Sequence, residues 1–105
     1  MNDAETRYAA LVDTFARRPN VSVPARKGFG EGSLCVNDRI FAMLTRGRLV
    51  VKLPRQRVDS LIGAREGEPF DAGKGRPMKE WLVVAHEADW HGLAEEALDF
   101  VRSQR

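Results

Sequence analysis

The segment "SLCVNDRIFAMLTRGRLVVKL", Ser33 to Leu53, alternates short runs rich in Val, Ile, Leu and Phe with two turn-forming pairs, Asn37-Asp38 and Arg46-Gly47. Runs of this kind suit a pleated, half-buried surface, and two-residue connections join antiparallel neighbours. The spacing therefore predicts a three-stranded meander built from "SLCVN", "RIFAMLT" and "RLVVKL". If both turns take two residues, strand alternation puts Ile40, Ala42, Leu44, Leu49, Val51 and Leu53 on one wholly apolar face. The opposite face gathers Leu34, Val36, Phe41, Met43 and Val50 together with Arg39, Arg48 and Lys52. A sheet with one dry and one mixed face covers the first with its own helices. The second is left for water, a partner or another copy of the chain, which makes Phe41, Met43 and Val50 candidate interface residues.

Outward from the meander the period changes from two to between three and four. Ala4, Tyr8, Leu11, Val12 and Phe15 form one stripe, which predicts a helix from about Asp3 to Arg17. Asn2 with Glu5 reads as a cap pair, and "RRPN" ends the helix with cations at its negative pole and a proline that cannot continue it. Trp90, Leu93, Ala94, Ala97, Leu98 and Val101 predict a last helix from about Asp89 to Arg102, its other face solvated through Glu95, Glu96 and Asp99. "PRQRVDSLIG" reads as a short middle helix with Pro54 at its start and Gly63 at its end. A further strand begins near Pro69-Phe70, and "EWLVVA", Glu80 to Ala85, is the most strand-like run after it. The order α-βββ-α-ββ-α describes a two-layer α+β domain, an antiparallel sheet with helices on one face.

At 105 residues the chain has the size of one domain with one modest core. No apolar run nears the roughly 18 residues of a membrane helix, and "MNDAETRYAAL" lacks the apolar centre of a secretory signal. Cys35 is the only cysteine, so no internal disulfide forms, which suits a reducing cytoplasm. The formal charge of +2 is small, but its distribution is uneven. Between Asp38 and Asp59 there is no acidic residue, whereas Arg39, Arg46, Arg48, Lys52, Arg55 and Arg57 all lie there. A local positive potential and a plain solvated surface both give this pattern.

"RKGFGEGSL" carries Gly28, Gly30 and Gly32, but a strand follows it where a phosphate loop needs a helix N-terminus. "AGKGRP" has Gly75 after Lys74 where a Walker loop has Ser or Thr. Both read as flexible backbone serving a sheet. His86, His91 and Cys35 lack metal-ligand spacing, and a lone strand cysteine is more often a small buried hydrophobe than a nucleophile. Glu66, Glu68 and Asp71 lie near Lys74 and Arg76 and are explained as solvated ions, while Trp81 and Trp90 are expected in the core. We expect no enzyme, cofactor or metal site. Lys74, Arg76 and Lys79 in "GKGRPMKEW" form the loop best suited to an anion. With Arg46, Arg48, Lys52, Arg55 and Arg57, the pair Lys74 and Arg76 makes up a candidate anion or nucleic-acid surface.

"RKGFGEGSLCVNDRIFAMLTRGRLVVKLP" resembles the N-terminal domain of the TfoX/Sxy competence regulators. In that domain a basic residue, a Phe-Gly-x-Gly segment, a hairpin, a Phe-Ala pair and an apolar strand ending in lysine occur in the same order. "PFDAGKGRPMKEWLVV" is similar to the later hairpin of that family and of the YjbR/MmcQ-like proteins. The resemblance implies a fold like that of type III secretion chaperones and a role in competence or transcription, with no catalytic residues to carry over. The resemblance covers the N-terminal domain alone and does not extend to the helical C-terminal half of the full-length regulators, which leaves the regulatory role an expectation only. The expectation is a non-enzymatic interaction module of the bacterial cytoplasm that binds a protein partner or itself as a homodimer; the alternative is nucleic-acid binding.

Overall fold

The computed structural model describes residues 3–23, 33–71 and 77–104. In chain order they form α1 (Asp3–Phe15), β1 (Val21–Ser22), β2 (Leu34–Val36), β3 (Arg39–Thr45) and β4 (Arg48–Lys52). There follow α2 (Arg55–Gly63), β5 (Gly67–Asp71), β6 (Pro77–Val84) and α3 (Trp90–Ser103). The strands make one antiparallel sheet ordered β1-β2-β3-β4-β6-β5. This is the α+β architecture that the sequence predicts, with one addition. The two-residue β1 pairs Val21 with Val36 and Ser22 with Cys35, and two residues are too few to show a period. Asn2, Phe29 with its neighbouring glycines, Lys74 and Arg76 lie outside the described residues.

Local chemistry sets the element ends. Helix α1 stops at Phe15, two residues before the expected Arg17, in a turn where the Arg18 N–H donates to the Phe15 carbonyl. Asn20 then takes φ 64° and turns the chain into β1, a conformation that asparagine tolerates. Asp89 caps α3, its carboxylate accepting from the Gly92 N–H at 3.0 Å. Both hairpin pairs have positive φ, 52° and 66° at Asn37 and Asp38 and 52° and 75° at Arg46 and Gly47. These are type I′ turns, whose twist matches that of the strands they join.

The meander departs from the sequence reading inside β3. Val36 pairs with Arg39 and Cys35 with Ile40, but Leu34 pairs with Ala42, so Phe41 is an extra residue without a partner on β2. A bulge of this kind inverts the alternation on one side of itself. Leu34, Val36 and Phe41, expected on the mixed face, are therefore 0% exposed and belong to the core, which removes Phe41 from the candidate interface. Ile40, expected on the dry face, is turned away from the core and partly exposed. Beyond the bulge the expected alternation holds. Ala42, Leu49, Val51 and Leu53 are core residues, and Met43 pairs with Val50 on the other face.

All three helices pack on the core face. Tyr8, Leu11 and Phe15 from α1, Val58 and Leu61 from α2, and Trp90, Leu93, Leu98 and Val101 from α3 join the sheet residues in one cluster. Phe15 meets Phe41 edge to face, ring centroids 6.1 Å apart and planes at 63°. On β6 the core residues are Leu82 and Val84, so Trp81, expected inside, lies partly exposed on the opposite face, while Trp90 is 3% exposed as expected. Gly67 lets β5 close on β6. A Cβ there would fall 2.6 Å from Leu82 Cδ1 and 2.7 Å from the Val83 carbonyl oxygen. Among the described residues no helix is long and apolar enough to cross a membrane.

The bulge has an energetic signature. Phe41→Ala is expected to lower unfolding stability by about 3–5 kcal/mol, the usual cost of emptying a buried aromatic site. Ile40→Ala is expected to cost less than about half of that, because its side chain already meets water. Urea titrations of the two variants check this, and a larger loss at Ile40 contradicts the register.

Candidate functional site

The helix-free face of the sheet is laid out by three cross-strand rows. Met43, Val50, Val83 and Glu68 form the central row, with Val50 paired to Met43 and Val83, and Val83 to Glu68. Towards one end lie Thr45 and Arg48, a register pair beside the type I′ turn. Towards the other, Lys52 pairs with Trp81 and holds its ammonium 5.8 Å from the ring centroid. Phe70 adds a second aromatic, 6.4 Å from Trp81 between centroids and tilted by 52°. Ile40, Met43, Phe70, Trp81 and Val83 are all partly exposed, and none of them packs on the helix-side core. Val50, at 1% exposure, is the buried floor between them.

A cleft of about 420 Å³ opens on this face between the β3–β4 turn and β5. Its walls are Val50, Val83, Pro69 and Phe70 on the apolar side and Thr45, Arg46 and Arg48 on the polar side. Arg48 is fixed there: its Nε donates to the Val84 carbonyl at 3.2 Å and its Nη2 meets Glu68 at 3.3 Å. Arg46 has no carboxylate within ion-pair distance among the described residues. A smaller apolar groove lies between α2 and the sheet, where Val58 and Ile62 face Pro69 and Trp81.

The structure divides the cations that the sequence groups together. Arg46 and Arg48 stand at one end of β4, Lys52 and Arg55 at or beyond its other end, a strand length of roughly 13–17 Å apart. Arg57 points away from both sets and forms a two-bond fork with Glu96 of α3 at 2.8 and 3.0 Å. The described cations thus form two small groups beside apolar side chains, with Arg57 consumed in tying α2 to α3.

The remaining candidates serve packing. Cys35 is 5% exposed on β2, and β3 and β4 separate it from the end of β6, about 14 Å at the usual strand spacing, so it does not meet His86. The His86 ring stacks on Trp90 at 5.9 Å and 18°, and the Arg7 guanidinium lies 3.9 Å from the Trp90 ring centroid. Arg7 also donates to the carbonyls of His86 and Ala88, so this stack fastens the β6–α3 connection to α1. His91 packs against Phe15 at 5.3 Å. Among the described residues no three of His, Cys, Asp and Glu are grouped to hold a metal ion. The groove-forming residues Pro69 and Phe70 were not singled out as a site by the sequence, because only the fold sets them beside Val50 and Arg48.

No family model, curated protein or solved structure matches this chain.

One electrostatic contact lends itself to titration. Arg18 grips Glu95 of α3 with two bonds of 2.6 and 2.7 Å. Those hydrogen bonds hold the Glu95 carboxyl below its ordinary value; partial desolvation opposes them and the coulombic attraction of Arg18 adds to them. A depressed carboxyl contributes stability that is present above the unfolded-state pKa and lost as pH falls through the lower folded value. Water around the pair keeps the contribution small. Glu95→Gln is expected to be less stable than the parent at pH 7, with the gap closing as the pH falls from neutral through and below the ordinary carboxylate range. Urea midpoints measured along that range check it, and a gap that does not change with pH contradicts it.

Proposed function

We propose that this chain is a non-enzymatic binding module, of the kind its likeness to the TfoX/Sxy N-terminal domain suggests, which docks an acidic protein partner on the helix-free face of its sheet. The observation that carries the proposal is the composition of that face. Met43, Phe70 and Val83 are left partly exposed on the face opposite the helix-side core, with Trp81 partly exposed at its edge beside α2. Apolar side chains grouped in this way mark an interaction surface more often than chance exposure does. Their cationic neighbours choose the partner. Arg46 and Lys52 have no acidic counterpart among the described residues, so a partner with carboxylates flanking aliphatic or aromatic side chains satisfies both requirements. A role in the bacterial cytoplasm, linked to transcription or competence, belongs to the same proposal and rests on the sequence likeness.

Nucleic-acid binding fits less well. Among the described residues the five candidate cations do not form one stripe: Arg57 is paired with Glu96, Arg48 with Glu68, and Glu68 places a negative charge among the rest.

Selection of a random peptide-display library on the immobilised chain tests the reading. Peptides in which Asp or Glu alternates with Leu, Phe or Trp are expected, with binding weakened about tenfold or more by Lys52→Glu and by Met43→Asp. No enrichment, or binding that survives both substitutions, overturns the proposal. Salt-sensitive retention on oligothymidylate without peptide enrichment assigns the face to nucleic acid instead. A dimer at micromolar concentration that Met43→Asp dissociates assigns it to a second copy of the chain.

A further inference from the structure

We propose that the cleft between the β3–β4 turn and β5 is a binding site for a small monocarboxylic acid with an apolar body. This inference goes beyond the docking of a protein partner and does not depend on it. At about 420 Å³ the cleft falls within the range of small-molecule sites, which are concave, largely apolar and supplied with few polar groups. Its two kinds of wall are segregated. Val50, Val83 and Phe70, together with the imino-acid ring of Pro69, which has no N–H, offer no polar side-chain group to a ligand. The Thr45 hydroxyl and the guanidinium groups of Arg46 and Arg48 stand together beside the turn.

The charges select the anion. Glu68 neutralises one of the two arginines and, together with the Val84 carbonyl, occupies Nε and Nη2 of Arg48. Among the described residues one net positive charge is left in the cleft, enough for a single carboxylate and short of what a phosphate dianion requires. The fixed Arg48 is already oriented, so an incoming carboxylate meets one immobile guanidinium and one free arm, Arg46. The apolar floor extends across three neighbouring strands, β4, β6 and β5, a span of roughly 10 Å at normal strand spacing. That accommodates an octyl chain or a phenylpropyl group, and leaves a bare acetate without most of its contacts.

Titrating the full chain, with labelled methyl and amide groups, against octanoate, hydrocinnamate, acetate and hydrocinnamamide at pH 7 and constant ionic strength tests this. The two apolar acids are expected to give saturable shifts centred on Val50, Val83, Phe70 and Thr45. Acetate is expected to give none, and the uncharged amide to bind about tenfold more weakly than its acid, the usual cost of losing a charge-assisted hydrogen bond. Arg46→Asn removes the free charge while suiting the positive φ of the turn, so the variant keeps its fold, and it is expected to reduce acid affinity about tenfold. An amide that binds as well as the acid, shifts centred on the α2 groove, an Arg46→Asn variant that binds unchanged, or no shifts with either apolar acid each overturn the proposal.

Discussion

The contact of Phe15 with Phe41 is the constraint from which the rest of the structure follows. It joins the end of α1 to the residue of β3 that is skipped between Ile40 and Ala42, both of which pair with β2. An extra residue in a strand is unfavourable unless its side chain gains something from the displacement. Here Phe41 gains complete burial, worth on the order of 1.5–3 kcal/mol, and an edge-to-face aromatic neighbour. The same step turns Leu34 and Val36 inwards and Cys35 and Ile40 outwards, so β2 joins the core with its larger aliphatic side chains. The first hairpin therefore contributes to the core through the bulge, and the second through regular alternation.

Segregating the two faces has a consequence for the surface. With Phe41 and its neighbours committed to the helices, the other face keeps Met43, Val83, Phe70 and Trp81 around the buried Val50. Among the described residues α1, α2 and α3 all belong to the single core cluster, and of these four side chains only Trp81 borders a helix, in the groove beside α2. The cations on this face are partly committed as well. Arg48 is held by Glu68 and a backbone carbonyl and Lys52 lies over Trp81, while Arg46 stands at a turn whose positive φ is uncommon for arginine.

Much of this was legible in the chain before the fold was known. The three helices, the meander and the two type I′ turns follow from apolar spacing and from the Asn37-Asp38 and Arg46-Gly47 pairs, all local signals. The bulge was not legible, because Ile40, Phe41 and Ala42 are all apolar and either alternation buries hydrophobic side chains. The choice between them is made by tertiary packing, in which Phe41 meets Phe15, twenty-six residues earlier in the chain. Trp81 was misplaced for a similar reason: "WLVV" is apolar at every position, so its inward pair, Leu82 and Val84, is set by pairing with β4 and not by pattern. The candidate site was legible in part. Met43, Val50, Arg46, Arg48 and Lys52 were found from strand periodicity and charge, whereas the cleft needs β5 brought alongside β6, a long-range pairing that no local motif records.

The central claim is that a single extra residue at Phe41 sorts the sheet into a buried face and an open one. Solvent paramagnetic relaxation of the side-chain methyl groups, with an uncharged gadolinium chelate in solution, measures that sorting directly. Ile40, Met43 and Val83 are expected to relax strongly, while Leu34, Val36, Leu82 and Val84 stay protected. Strong relaxation at Leu34 and Val36 with Ile40 protected would show an unbroken alternation along β3 and contradict the account.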